Sequence, residues 1–206
     1  MIIVSITEIN KQRSRILLET EESFVLYKGE IRMLHLKEGH SISDEAYKQI
    51  FDGLLPRRAK VRAMNLLQAK NYTSYQLLKK LLDGGYPETI ARQALEYVTS
   101  YGYVDDLRYA KEYIEQAGNS YSRNEIKLKL TSKGIEREVI EKAFSEIDTE
   151  HLEYGEEGTD AAEEELIKKT LTKRGYTGDE SYEEKQKLLA YFYRRGFNID
   201  KVKKFM

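Results

Sequence analysis

The stretch Leu77-Leu78-Lys79-Lys80-Leu81-Leu82-Asp83-Gly84-Gly85-Tyr86 decides the fold, because its pattern returns twice further along the chain. Reduced to anchors it reads Leu77-x3-Leu81-x3-Gly85-Tyr86, and it recurs as Ile126-x3-Leu130-x3-Gly134-Ile135 and Leu188-x3-Phe192-x3-Gly196-Phe197. Two apolar residues four apart lay one buried stripe along a helix, and the glycine supplies a left-handed residue just past its end. The apolar side chain that follows folds back to close that end. Nine residues beyond each glycine stands Ala94, Ala143 or Phe205, followed by Leu95, Phe144 or Met206. Upstream of each motif the period is again helical, over 57–70, 105–116 and 160–173. Each motif is therefore the middle of a three-helix module, and the glycines lie 49 and 62 residues apart. Such a period points to tandem modules, each burying its stripe against its own helices and its neighbours, rather than one shared core. The fold expected is mainly α and elongated, with modules at 54–104, 105–148 and 160–206.

Residues 1–53 behave differently. Ile2–Ile9, Arg15–Glu19 and Ser23–Tyr27 are short, rich in β-branched and aromatic residues, and separated by polar turns. They read as a three-stranded antiparallel meander. Three strands shield one face only, so this sheet needs a helix, expected over 30–38 with Gly39 as its stop. A second helix begins at Ser43-Asp44-Glu45 and is expected to end near Phe51, ahead of Gly53 and Pro56. No repeat stripe draws on this extension, so the modules are expected to fold without it.

A net charge of -1, from 34 basic and 35 acidic side chains, conceals a segregation. Residues 1–53 carry -2, 54–133 carry +6, 134–184 carry -11 and 185–206 carry +6. Between Leu54 and Lys80 there are seven cations and no acid, a run that attracts a polyanion. From Glu146 to Glu165 there are ten acids and no Lys or Arg, read as a solvated, mobile linker over 149–159.

Catalytic and cofactor signatures are missing. No Cys is present, which excludes disulfides, a thiol nucleophile and Cys-ligated zinc, and which fits a reducing cytoplasm. There is no phosphate-binding Gly-Lys-Ser/Thr loop, no dinucleotide fingerprint and no Ser-His-acid order. His35, His40 and His151 are too scattered for a metal pair. Asp105-Asp106 reads as a helix cap and a dipole partner rather than a metal pair. No apolar run approaches the roughly 20 residues of a membrane span, and 1–9 lack the features of a signal peptide.

The string Tyr101-Gly102-Tyr103-Val104-Asp105-Asp106-Leu107-Arg108-Tyr109-Ala110 closes one module with a helix stop and opens the next with a staple and a start. With Lys133-Gly134-Ile135 and Arg194-Arg195-Gly196-Phe197, this string resembles the RecX regulators of RecA recombinase over 57–206. The strands resemble the β-containing extension of longer members. The resemblance implies a cytoplasmic, non-enzymatic, cofactor-free protein that binds the RecA filament, lies along its groove and restrains recombination and SOS induction. It implies no catalytic residue.

The charge map supplies the candidate contact residues. Arg57, Arg58, Lys60 and Arg62 open the first module and Lys79 and Lys80 end its middle helix. Arg108 opens the second, whose middle helix carries Lys127, Lys129 and Lys133, and Arg194, Arg195, Lys201, Lys203 and Lys204 end the third. Repeated basic helices can align charge along one face, as a polyanion or a repeating protein lattice requires. Two partners fit: the RecA filament, or single- or double-stranded DNA with weak sequence preference, bound by a monomer that stays off membranes. The tyrosines at 72, 75, 86, 101, 103, 109 and 113 carry two readings, half-buried packing, which is the commoner role, and base stacking.

Overall fold

A computed structural model describes residues 1–154 and 158–206, which fall into two compact units, Met1–Asp105 and Asp106–Met206. Three further residues of the expected linker, 155–157, lie outside the described residues.

In the first unit the meander forms as expected: β1 (Ile3–Glu8), β2 (Arg13–Leu18) and β3 (Ser23–Tyr27), antiparallel in that order. The register shifts between Ile3 and Ser5, where Ile3 faces Leu18 and Ser5 faces Leu17, a bulge that throws Val4 outward. The outer edge of β1 is occupied rather than open. Ile3 N–H donates to the His40 carbonyl at 3.0 Å, Gly39 N–H to the Ile3 carbonyl at 2.8 Å, and Ile6 N–H to Glu38 at 2.5 Å, which removes a site for edge-to-edge pairing.

The helix that covers the sheet is not the expected one. Helix α1 is only Lys28–Met33, buries no residue, and ends where His35 turns left-handed at φ 52°. The cover comes instead from one helical run. It starts with α2 (Asp44–Lys48), whose N-cap Ser43 accepts the Ala46 N–H at 3.2 Å. It continues through a π-helical turn (Gln49–Leu54) into α3 (Leu55–Ala69). The expected break before Pro56 does not occur. In a regular α-helix the proline ring would meet the carbonyl four residues back; widening the preceding turn to the π form moves that carbonyl aside. Phe51, carried on that turn, meets Phe24 edge-on at 5.0 Å and stacks on Tyr47 at 4.4 Å.

Helices α4 (Ser74–Asp83) and α5 (Glu88–Ser100) complete the first three-helix repeat. Its core is continuous with the sheet: Ile3, Ile16, Leu18, Phe24 and Leu26 belong to the same buried cluster as Leu55, Leu77, Leu81, Ala94 and Val98. The sheet is therefore part of the first module's core, contrary to the independence expected from the sequence. Gly85, at φ +85°, lies so close to Val25 of β3 that a methyl group there would collide with it.

The second unit holds two repeats with separate cores. Helices α6 (Asp106–Ala117), α7 (Arg123–Ser132) and α8 (Arg137–Tyr154) enclose Ile114, Ile126, Leu130, Ile140, Phe144 and Ile147. Helices α9 (Thr159–Lys173), α10 (Tyr182–Arg194) and α11 (Ile199–Lys203) enclose Ile167, Leu171, Phe192, Phe197 and Val202. The three repeated glycines close their helices as the sequence implies, with φ of +85°, +82° and +75°. Tyr86, Ile135 and Phe197 N–H return to the carbonyls of Leu81, Leu130 and Phe192 at 3.3, 3.3 and 3.1 Å.

Most of the acidic stretch is helical, not a linker. Helix α8 runs on to Tyr154, and α9 starts at Thr159. Glu146 and Glu150, one turn apart on α8, share Lys111 of α6 at 3.3 and 2.6 Å, and this shared cation offsets their mutual repulsion.

Candidate functional site

The fifteen cations marked by the sequence divide by what their side chains touch. Arg57, Arg62, Lys79, Lys80, Arg194, Lys203 and Lys204 are exposed, with no carboxylate at ion-pair distance among the described residues. Arg108 is exposed on α6. The other seven are engaged within the protein. Arg58 pairs with Glu30 and lies 4.7 Å above the Tyr27 ring, which joins α3 to α1. Lys60 sits 4.5 Å above Tyr97. Lys127 reaches Glu141 of α8 at 2.6 Å and holds its carboxyl below the usual range by that hydrogen bond. Lys129 pairs with Glu125 at 3.7 Å, and Lys133 lies 5.4 Å from the Tyr113 ring.

Equivalent middle helices are thus unequal in available charge. On α4, Lys79 and Lys80 have no carboxylate at ion-pair distance among the described residues, whereas on α7 Lys127 and Lys129 are matched by carboxylates on α8 and one turn back on α7. Cations with a partner have that partner's charge subtracted from any field they offer a ligand.

In the third repeat Arg195 donates to Tyr191 Oη at 3.1 Å and to the Ser120 carbonyl at 3.1 Å. That hydrogen bond, with Arg174 stacked 3.4 Å from the ring centroid, draws the Tyr191 phenol below its ordinary value. Lys201 bridges Asp160 at 2.9 Å and Glu163 at 3.1 Å. Its hydrogen bond and charge hold Asp160 below the usual carboxylate range, while burial would pull Lys201 down and the two carboxylates more than offset that.

The tyrosines divide as well. Tyr72, Tyr86, Tyr109 and Tyr113 are half-buried, and Tyr75, Tyr101 and Tyr103 are exposed. Tyr97, Tyr101 and Tyr103 form a ladder with centroids 5.0 and 6.2 Å apart at the end of α5, with Lys60 over its first ring. Tyr97 escapes a reading by motif because it precedes the Tyr101-Gly102-Tyr103 string.

Two residues that matter were not marked by the sequence. Ser122 and Arg123 join α7 to the third repeat, as described below; the only signal was the Ser122-x-x-Glu125 spacing of a helix start. Among the described residues no group of His, Asp and Glu could hold a metal ion, and no helix is long and apolar enough to cross a membrane.

Profiles of three RecX domains match in chain order: "RecX, first three-helix domain" at 59–97, "RecX, second three-helix domain" at 105–143 and "RecX, third three-helix domain" at 156–206. The regulatory protein RecX of Caldanaerobacter subterraneus is 33% identical over 190 residues, which cover 92% of this chain and 89% of that protein. The chain belongs to the RecX family. The regulatory protein RecX of Clostridioides difficile is 27% identical and aligns with 95% of this RecX chain and 88% of its own. A crystal structure of a regulatory protein RecX shares the fold across 98% of this chain and 96% of its own, with TM-score 0.63 and 22% identity. That of RecX from Lactobacillus salivarius has TM-score 0.59 and 22% identity, over 73% of this chain and 93% of its own.

Proposed function

We propose that this RecX protein is a negative modulator of RecA recombinase. It binds the RecA-DNA filament and inhibits its ATPase, strand-exchange and co-protease activities, so that recombination and the SOS response are restrained. Family membership along nearly the whole chain carries this reading. The action is by binding, without catalysis or a cofactor, in the cytoplasm, by a monomer. The seven exposed cations, which have no ion pair among the described residues, supply the attraction to acidic protein surface or to phosphate, because no described carboxylate cancels their field.

The test is ATP hydrolysis by RecA on single-stranded DNA, titrated with this protein at two salt concentrations beside anisotropy on the bare DNA. Inhibition is expected at concentrations that leave bare DNA unbound. The combined change of Arg57, Arg62, Lys79 and Lys80 to Glu is expected to keep normal circular dichroism and to weaken inhibition at least tenfold, about 1.4 kcal/mol. Unchanged inhibition by that variant would remove these side chains from the contact.

A second reading, direct competition with RecA for DNA, is favoured by the tyrosine ladder beside Lys60, since exposed aromatic rings with nearby cations suit unpaired bases. It predicts inhibition that tracks DNA occupancy and falls when Tyr101 and Tyr103 are changed to Ala.

A further inference from the structure

Within the second unit, the second and third repeats are joined by polar groups in two sets. In the first, the start of α7 meets the end of α10. Ser122 Oγ donates to the Arg195 carbonyl at 2.8 Å, Asn124 Nδ2 donates to the Gly196 carbonyl at 3.0 Å, and Arg195 Nη2 donates to the Ser120 carbonyl at 3.1 Å. Gly196 is so near that a side chain there would press on Ser122 Oγ at 3.1 Å. In the second set, Arg123 Nη1 reaches Thr159 and Asp160 of α9 at 3.0 Å each and Asp148 of α8 at 3.4 Å. The Arg123 N–H donates to Glu163, which is buried, at 2.9 Å.

Apolar contact is scarce between these sets. The two cores are distinct clusters. Beside the joint there is a cavity of about 310 Å³, walled by Ile114, Ile126, Phe144 and Ile147 of the second repeat and, from α9, by the small Ala162 and the polar Thr159 and Glu163. Apolar walls without partners forgo dispersion contacts. Hydrogen bonds to water replace hydrogen bonds across the joint at a net cost of only about 1 kcal/mol each. A joint of this kind opens without unfolding either core.

We propose that this joint is a latch. Ser122 and Arg123 hold the folded third repeat against the second, and the third repeat swings away as a body when their bonds are broken. The Ser122 hydroxyl has two tasks: it accepts the Glu125 N–H at 3.2 Å as the N-cap of α7, and it gives its own proton to the α10 turn. Opening changes where the exposed Arg194, Lys203 and Lys204 stand relative to the second repeat, so a binder that competes for Arg123 or for the two turn carbonyls resets the reach of the protein.

The two tasks can be separated by substitution. In Ser122→Asp with Asn124→Ala, the Asp still caps the helix but neither residue donates to the α10 turn. Arg123→Ala removes the guanidinium bonds of the other set and leaves the Arg123 N–H on Glu163 and Thr159 on Asp148. The chain has no Cys, so Lys142→Cys on α8 and Lys187→Cys on α10 accept a donor and acceptor dye in the full-length protein. Energy transfer is expected to fall in both variants while helical circular dichroism is kept. Unchanged transfer in both would overturn the latch. Should a variant lose helicity, hydrogen exchange of the unsubstituted protein decides. The Arg123 amide is then expected to exchange roughly tenfold or more faster than the core amides of Leu130 and Phe192. Equal protection at all three would overturn it.

Discussion

The two joints of this molecule are built from opposite materials. Between the N-terminal sheet and the first repeat the contact is apolar and continuous: Phe24, Ile50, Phe51, Leu55 and Leu81 lie in one buried cluster. Between the second and third repeats it is polar, made by Ser122 and by Arg123 and Glu163, which line a cavity. Burial of apolar surface is additive and lacks direction, so the first joint makes one cooperative body of two sequence regions. Hydrogen bonds are directional and exchangeable with water, so the second fixes an orientation without merging two cores. Repeats alike in sequence are thus not alike in how they are fastened.

The largest effect expected breaks the first joint. Removal of residues 1–53 exposes the faces of Leu55, Leu77 and Leu81 and leaves the first repeat without a fixed core. Hydrogen exchange should show loss of protection in α3 to α5 while the helices of the second unit keep theirs. A milder version, Phe24→Ala, removes a fully buried ring and should cost about 3–5 kcal/mol in denaturant unfolding.

Gly85→Ala comes next. The left-handed backbone alone costs roughly 1–2 kcal/mol with a Cβ, and the collision with Val25 adds to it. Gly175→Ala, with φ +75° and nothing near its Cβ, should show only the backbone part, so the difference between the two melts isolates the packing of sheet on repeat.

The smallest effect is electrostatic and falls on Asp160, which pairs with Lys201 of its own repeat and with Arg123 across the second joint. Asp160 has a folded pKa below its ordinary 3.8, so its ionic contribution is present above that value and is lost as pH falls through the lower folded value. Asp160→Asn should cost less than about 1 kcal/mol near neutral pH, since the side chain is largely exposed, and the gap between the two proteins should close below about pH 4. A gap that persisted in acid would mean that the carboxylate charge contributes nothing.

Periodicity made the repeats legible. Apolar residues at four-residue spacing followed by glycine are a local code, and the helix ends at Gly85, Gly134 and Gly196 follow it without help from distant residues. The strands were legible for the same reason. What escaped depended on residues far apart in sequence. Pro56 reads as a stop until the π turn ahead of it is known. The run from Glu146 reads as a solvated linker until Lys111 is seen to bridge two of its acids, 35 and 39 residues away. Lys127 and Lys129 look as available as Lys79 and Lys80 until Glu141 and Glu125 are placed beside them. Charge patterns locate cations well and their partners poorly.

The π turn at Gln49–Leu54 carries a further meaning for the first unit. A π turn holds one residue more than an α turn needs, and each residue turns an α-helix by about 100°. Loss of a single residue from this turn would let it close to an α turn that sweeps nearly the same angle, so Arg57 and Arg62 would keep their azimuth while the Pro56 ring met the carbonyl four residues back. The turn is an insertion that the helix has absorbed without re-aiming the charges of α3.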